Sequence, residues 1–251
     1  MNIVVGHLYP ELLNLYGDRG NIICLQKRCL WRGLEFEIKP IAIETALNQK
    51  EMDKIDILFM GGGEDCGQKQ LYYDFVNNKG RLIKQHIENA KAGLFVCGGY
   101  QLLGNYYRPY QGQDIQGLKI FDMYTQHFGR DKKRCVGNVV CQIQGPKYLK
   151  NKTLVGFENH GGRSFLNKSL SPLARTNIGD GNNGQDQTEG AIYKNTIGTY
   201  LHGPILPKNP HLADYLIKTA LEKKYSQKIE LTVLDDEVEW TAHKNALKLT
   251  K

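Results

Sequence analysis

Along the first hundred residues, short apolar runs alternate with stretches in which apolar positions recur every three or four residues. Residues 2–8 form one run, and Ile22, Ile23, Leu25, Leu30 and Trp31 then stand at helical spacing before Gly33. Residues 35–41 alternate as a half-buried strand does, and the run 55–60 stops at Gly61-Gly62-Gly63. Leu82, Ile83, Ile87 and Ala90 repeat at helical spacing, with Gly93 where a helix cap would lie. The run 94–97 follows, and Gly98-Gly99 opens onto Tyr100-Gln101-Leu102-Leu103. This rhythm predicts an α/β fold, with a mostly parallel central sheet covered by helices on both faces.

The second half has a different texture. Segments 117–125, 135–143, 153–158, 190–193 and 197–201 are short strand-like runs separated by Gly, Asn and Asp, and are expected to extend or flank the same sheet, partly antiparallel. IGDGNNGQDQTEG (178–190) is polar and glycine-rich, which predicts a surface excursion. Residues 209–225 form an amphipathic helix, with Leu212, Tyr215, Leu216 and Ala220 on one face, and 234–249 predict another. The expected division is one domain over 1–225 and a helical tail over 226–251, packed on that domain or on a partner.

Composition narrows the class. With 251 residues, 41% apolar and 24% charged, the chain can bury a full core. No apolar run approaches the roughly 20 residues that span a bilayer. The start lacks a basic stretch followed by a long apolar one, so a cytoplasmic location is expected. Six cysteines without C-x-x-C pairs or zinc spacing fit free thiols and no metal. The net charge of +7 is spread over the chain. It suits either a solvated surface or an anionic partner, substrate or membrane surface, and no nucleic-acid motif accompanies it.

Chemistry in open α/β sheets gathers outside the carboxyl ends of the strands, and three signals fall there. In LFVCGGYQLLG (94–104) a buried run ends on Cys97, and two glycines follow. A sharp strand-to-helix turn of this kind exposes its apex residue, as in serine hydrolases. The helix N-terminus beyond it offers N–H donors to an oxyanion and favours a thiolate. The alternative is a small buried hydrophobe, the reading that holds for the other five cysteines. In FMGGGEDCGQ (59–68) the glycines can turn backbone N–H groups toward an anion, or simply form a tight turn. In GTYLHGPIL (198–206) a strand ends on His202, placed to act as the base that a thiol nucleophile needs. His160 of FENHGGR (157–163) is the rival, since it also follows a strand and precedes glycines. His7, His86, His127, His211 and His243 fit structural positions.

Gly61-Gly62-Gly63, Cys97-Gly98-Gly99-Tyr100-Gln101 and Tyr200-Leu201-His202-Gly203 together resemble the class I glutamine amidotransferases, in the cobyric acid synthase-like branch. That resemblance implies a flavodoxin-like core with additional C-terminal helices. Within the branch the chain is similar to the glutaminase subunits of lipid II isoglutaminyl synthases. NLYGDRGNI (14–22), GGGEDCGQ (61–68), VCGGYQLLG (96–104), GFENHGGR (156–163), GDGNNG (179–184) and TYLHGPILPKN (199–209) carry this similarity over residues 2–221. The resemblance implies hydrolysis of glutamine to glutamate and ammonia through a γ-glutamyl thioester on Cys97, with His202 as base and then acid. It further implies an oxyanion hole from Gly98 and the Gly62 and Gly63 loop, and glutamine binding by Arg134 and Gln101. It places ATP and Mg on a Mur-ligase-like, MurT-type partner rather than in this chain. That partner would use the ammonia to amidate D-glutamate of lipid II at the inner face of the membrane, in peptidoglycan synthesis.

Two features depart from related sequences. His202 is followed by Gly203-Pro204, so no glutamate lies two residues on to orient it; the resemblance implies that the partner supplies an acidic third group. Phe95 stands where many relatives have a small residue. The tail beyond Lys223 carries no recognisable motif. Three other readings remain open from residues alone: a subunit for another, corrinoid-type synthetase, a cysteine peptidase on the same fold, or a non-catalytic module.

Overall fold

The computed structural model describes residues 1–14, 17–63, 65–150 and 152–249. Leu15 and Tyr16 of NLYGDRGNI and Glu64 of the glycine-rich stretch lie outside the described residues, as does the Cys66 side chain.

The first half alternates as its pattern predicts: β1 (Asn2–Leu8), α1 (Arg19–Leu30), β2 (Glu35–Ile41), α2 (Gln49–Asp53), β3 (Ile57–Met60), α3 (Asp65–Tyr73), a π-helical turn, α4 (Gly80–Glu88), β4 (Ala92–Val96) and α5 (Gly98–Leu102). The second half contributes β5 (Tyr106–Arg108), β6 (Ile115–Gln116), β7 (Met123–His127), β8 (Cys135–Ile143), β9 (Thr153–His160), β10 (Gly162–Leu166), β11 (Ala174–Ile178), β12 (Thr188–Glu189), β13 (Ala191–Tyr193) and β14 (Thr196–Thr199). Two helices close the chain, α6 (Pro210–Tyr225) and α7 (Glu237–Ala246).

The central sheet runs β13-β14-β4-β3-β1-β2, with every neighbouring pair parallel except β13 with β14. β3, β4 and β14 are buried at every position. A strand covered on both faces has no solvent side, so its apolar residues run without alternation. Each Leu, Ile, Val or Phe sealed there contributes roughly 1.5–3 kcal/mol of transfer free energy. β2 is the edge, half-exposed, and tolerates Pro40, whose missing N–H costs nothing on an unpaired side.

Phe95 finds its room within this sheet. It lies on the same strand face as Gly93, and a Cβ at Gly93 would come within 3.1 Å of the Phe95 ring. The missing side chain at 93 thus accommodates the large one at 95. Gly93 is therefore a strand residue and not a helix cap; Ala90, at φ 55°, makes the left-handed turn after α4.

Of the later strands, expected to extend or flank the central sheet, β13 and β14 extend it. The others form two separate four-stranded sheets, β10-β7-β5-β6 and β12-β11-β8-β9. Most of these pairings are antiparallel, and β5 with β6, β8 with β9 and β11 with β12 join consecutive strands without a crossover helix. The strand expected over 117–125 shrinks to its last residues, because Gly117 and Lys119 (φ 55°) turn the chain first. Segment 178–190, expected as a surface excursion, is exposed only at residues 184–187. Asn182, Asn183 and Glu189 are fully buried, and Asn182 accepts a hydrogen bond from Tyr100 Oη at 3.1 Å.

The segment after α6 folds back on the domain. Buried Arg28 of α1 forks between Asp214 of α6 and Asp236 just before α7, at 2.8 and 2.6 Å. Trp240 of α7 stacks on His211 at 5.2 Å. Among the described residues no helix is long and apolar enough to cross a membrane.

Candidate active site

The register of the parallel strands places three loops side by side. Met60 pairs with Phe95, and Val96 with Thr199, so the chain leaves β3, β4 and β14 at one edge of the sheet. Gly61-Gly62-Gly63, Cys97 and His202 follow these three ends.

Cys97 occupies φ 49° and ψ −104°. This conformation is strained for any residue with a Cβ, and such strain persists only where surrounding structure enforces it. Here the Cys97 N–H donates to Thr199 O at 2.8 Å, and Gln101 N–H returns to Cys97 O at 2.9 Å. Gly99 completes the elbow, because a Cβ there would lie 3.0 Å from Met60 O. α5 then starts directly behind the thiol.

His202 faces Cys97 across the Gly62 backbone. A Cβ at Gly62 would sit 2.7 Å from His202 Cε1 and 3.0 Å from Cys97 Cβ, so glycine leaves the gap in which the two side chains meet. His202 is held from behind by paired backbone bonds with Phe157 of β9, 2.7 and 3.3 Å long. It stands against Cys97 and, through Nδ1, hydrogen-bonds Asp18 Oδ1 at 3.2 Å. Burial opposes a charge on the imidazole, but the facing Cys97 and the Asp18 carboxylate outweigh it and push His202 up to about 10.

Asp18 answers the question that His-Gly-Pro leaves open. The third group, expected from a partner, has a candidate within this chain, in the NLYGDRGNI stretch. Asp18 precedes α1, where an aspartate ordinarily caps its own helix, yet its side chain makes no cap bond. It is fully buried and turned to His202 on one oxygen and to the Gly62 N–H on the other, at 2.7 Å. Gly62, expected in the oxyanion hole, therefore directs its N–H to the acid. The sequence signal for Asp18 was the motif itself, although spacing alone gave it no role.

The rival His160 is removed from the thiol chemistry. Its ring stacks on Tyr200 at 3.7 Å, and its Nδ1 bonds Gly162 O at 2.7 Å. Gln101 lies in α5, and its Nε2 donates to Tyr200 Oη at 3.1 Å. Tyr200 Oη also bonds Ser164 Oγ at 2.8 Å, and Ser164 bonds Thr125, so a polar chain runs beneath the elbow. Arg134 is exposed; its Nε donates to Asn159 Oδ1 at 2.5 Å and its Nη2 to Asn159 O at 3.0 Å. That holds the guanidinium fork at the mouth of β8 and β9. Five of the cysteines are free thiols. Burial pushes Cys24 and Cys29 up to about 12 and raises Cys141 well above its ordinary value, which leaves these thiols inert.

A thiol on a strained elbow, a histidine facing it and a carboxylate behind the histidine form the constellation of acyl-transfer catalysis. Comparison with known proteins agrees. Residues 4–210 match the CobB/CobQ-like glutamine amidotransferase domain. The chain is 40% identical over 222 residues to the lipid II isoglutaminyl synthase (glutamine-hydrolyzing) subunit GatD of Staphylococcus aureus, covering 88% of this chain and 86% of that one. It is 38% identical over 232 residues to the subunit of the same name from Streptococcus pneumoniae, covering 92% and 85%. A solved glutamine amidotransferase shares the fold, with a TM-score of 0.57 over 86% of this chain and 98% of the other at 16% identity. With Cys97, His202 and Asp18 brought together at one sheet edge and its family domain matched over most of its length, the chain belongs to the CobB/CobQ-like glutamine amidotransferases.

Proposed function

We propose that this chain is the glutaminase subunit of a lipid II isoglutaminyl synthase. The observation that carries the reading is the meeting of Cys97, His202 and Asp18 in a chain that matches two such subunits over most of their length. Cys97, as thiolate, attacks the glutamine side-chain carbonyl. The protonated His202 gives its proton to the departing ammonia, leaving a γ-glutamyl thioester. His202 then takes a proton from water as that water attacks the thioester, and glutamate is released. Asp18 holds the imidazole in the tautomer that turns Nε2 to the thiol. With the Gly62 N–H given to Asp18, the N–H groups of Gly98 and Gly63 receive the oxyanion. Arg134 takes the substrate carboxylate on its planar fork, and Gln101 supports the floor of the site.

Ammonia passes to a MurT-type, Mur-ligase-like partner that holds ATP and Mg and amidates D-glutamate of lipid II. The work is done in the cytoplasm, at the inner membrane face. The test is co-purification with the candidate partner, followed by glutaminase assays and lipid II amidation with amide-labelled glutamine. Label in lipid II is expected with both subunits present, and its loss is expected in Cys97→Ala. Transfer of the label to a corrinoid acceptor, but not to lipid II, would assign the chain to another synthetase.

A further inference from the structure

One buried carboxylate outside the catalytic trio meets the end of β14, the strand that leads into the His202 loop. Glu189 belongs to β12, in a different sheet from the site, and is fully buried. Its Oε1 receives Thr199 Oγ1–H at 2.6 Å and Tyr200 N–H at 2.9 Å. Thr199 Oγ1 in turn accepts the Leu201 N–H at 3.0 Å, and the His202 N–H goes to Phe157 O at 2.7 Å. Of residues 199–202, Tyr200 and His202 thus have their N–H groups held from outside the central sheet, and Leu201 has its own held by the Thr199 hydroxyl that Glu189 binds. At the start of this segment, Thr199 O holds the N–H of Cys97 at 2.8 Å.

A buried carboxyl costs free energy unless it is fully hydrogen-bonded, and Glu189 Oε2 has no donor in hydrogen-bonding geometry among the described residues. Burial, reinforced by the nearby Glu158 carboxylate, pushes Glu189 up to about 7. Core packing alone would be served better by an apolar side chain. What the carboxyl supplies is one acceptor oxygen that collects two donors where the β13 ladder has already ended at Gly198.

We propose that Glu189 is a positioning residue for glutamine hydrolysis, acting through Thr199 on the strained Cys97 elbow and through residues 199–202 on His202. The proposal rests on Cys97 and His202 being the nucleophile and its base. Strain at Cys97 survives only against a rigid neighbour, and Glu189 makes the end of β14 rigid. Tyr200 carries the same restraint to α5, since its hydroxyl bonds Gln101.

The test compares Glu189→Ala, Glu189→Gln and Thr199→Val by kcat, KM and the rate at which iodoacetamide alkylates Cys97. Glu189→Ala is expected to lower kcat ~10²-fold, the scale of a misplaced catalytic group, with KM within about threefold. Glu189→Gln keeps an acceptor oxygen and is expected to recover to within ~10-fold of wild type, with an unshifted pH profile. Thr199→Val removes the hydroxyl link and is expected to show the same kcat loss even if Glu189→Ala fails to fold. Alkylation of Cys97 is expected to slow in parallel with kcat. Wild-type kcat and alkylation rates in Glu189→Ala or Thr199→Val would overturn the proposal. So would a Glu189→Gln variant as impaired as Glu189→Ala, which would assign the effect to charge. A wild-type protein that hydrolyses no glutamine, while its Cys97 alkylation still depends on Glu189, would sink the functional reading and leave the positioning role standing.

Discussion

Asp18 Oδ1 lies 3.2 Å from His202 Nδ1, while Asp18 Oδ2 accepts the Gly62 N–H at 2.7 Å. One carboxylate therefore orients the His202 ring and anchors the Gly62 loop opposite Cys97. Asp18→Asn keeps the shape but presents an amide where Nδ1–H needs an acceptor. The expected result is a fall in kcat of roughly 10⁴-fold, the scale seen when a triad acid is replaced by its amide. Asp18→Ala is expected to be less stable as well, since the buried Gly62 N–H loses its acceptor. A glutaminase assay alongside a urea titration separates the two effects. Wild-type kcat in Asp18→Asn would return the acidic role to a partner.

The charge on His202 depends on its neighbours. Burial alone would lower its proton affinity, and Cys97 with Asp18 reverses that, to about 10. The folded value lies above the unfolded 6.5, so the imidazolium stabilises the fold fully below pH 6.5. That contribution is lost as pH rises from 6.5 to about 10. Cys97→Ala removes the largest favourable partner, so His202 is expected to titrate at lower pH in that variant, and the alkaline loss of stability is expected to flatten. NMR titration of the His202 ring in both proteins checks this directly. Identical titration curves would show that Cys97 and His202 do not form a charge pair.

Gly62 owes its identity to space. Its backbone is not in the left-handed region, so alanine meets no conformational penalty there, only a collision. The added methyl would come 2.7 Å from His202 Cε1, and that buried ring is pinned at both ends. Gly62→Ala is expected to fold, with His202 displaced from Cys97 and kcat reduced ~10²-fold or more. Equal activity in this variant would show that the imidazole is free to move aside.

Much of this site was legible because its parts are local. Cys97 and His202 each combine an apolar run, a chemically active residue and glycines, and strand parallelism brings the runs together. Phe95 could be noticed but not explained, since its compensation is the empty space at Gly93 in the folded sheet. Asp18 and Glu189 were less visible for a physical reason. Each sits in a polar, glycine-flanked stretch that reads as a loop, and each acts on residues 10 or more positions away, Asp18 across 184 of them. Segment 178–190 misled for the same reason. Its tip, residues 184–187, is exposed, but Asn182 and Asn183 are buried and bond Tyr100, Thr188 and Asp186. Composition does not distinguish a polar loop in water from a polar loop that is buried and fully bonded.

The tail offers the last prediction. Arg28 is 1% exposed and fully paired only while Asp214 and Asp236 are both in place. Asp214 also receives Arg32 at 2.8 Å, so it holds two guanidinium groups where Asp236 holds one. Removing one member of a buried ion pair leaves a desolvated charge behind, which costs about 3–5 kcal/mol when nothing compensates. Asp214→Ala is therefore expected to lower unfolding free energy by ~3 kcal/mol, the lower end because Asp236 still covers Arg28. Asp236→Ala is expected to cost less stability but to loosen the segment after α6, because its bonds to Arg28 tie that segment to α1. Urea denaturation reads the first effect, and limited proteolysis between residues 226 and 236 reads the second. If Asp236→Ala is as resistant to protease as wild type, then Trp240 on His211 and His243 on Thr153 hold the tail without the ion pair.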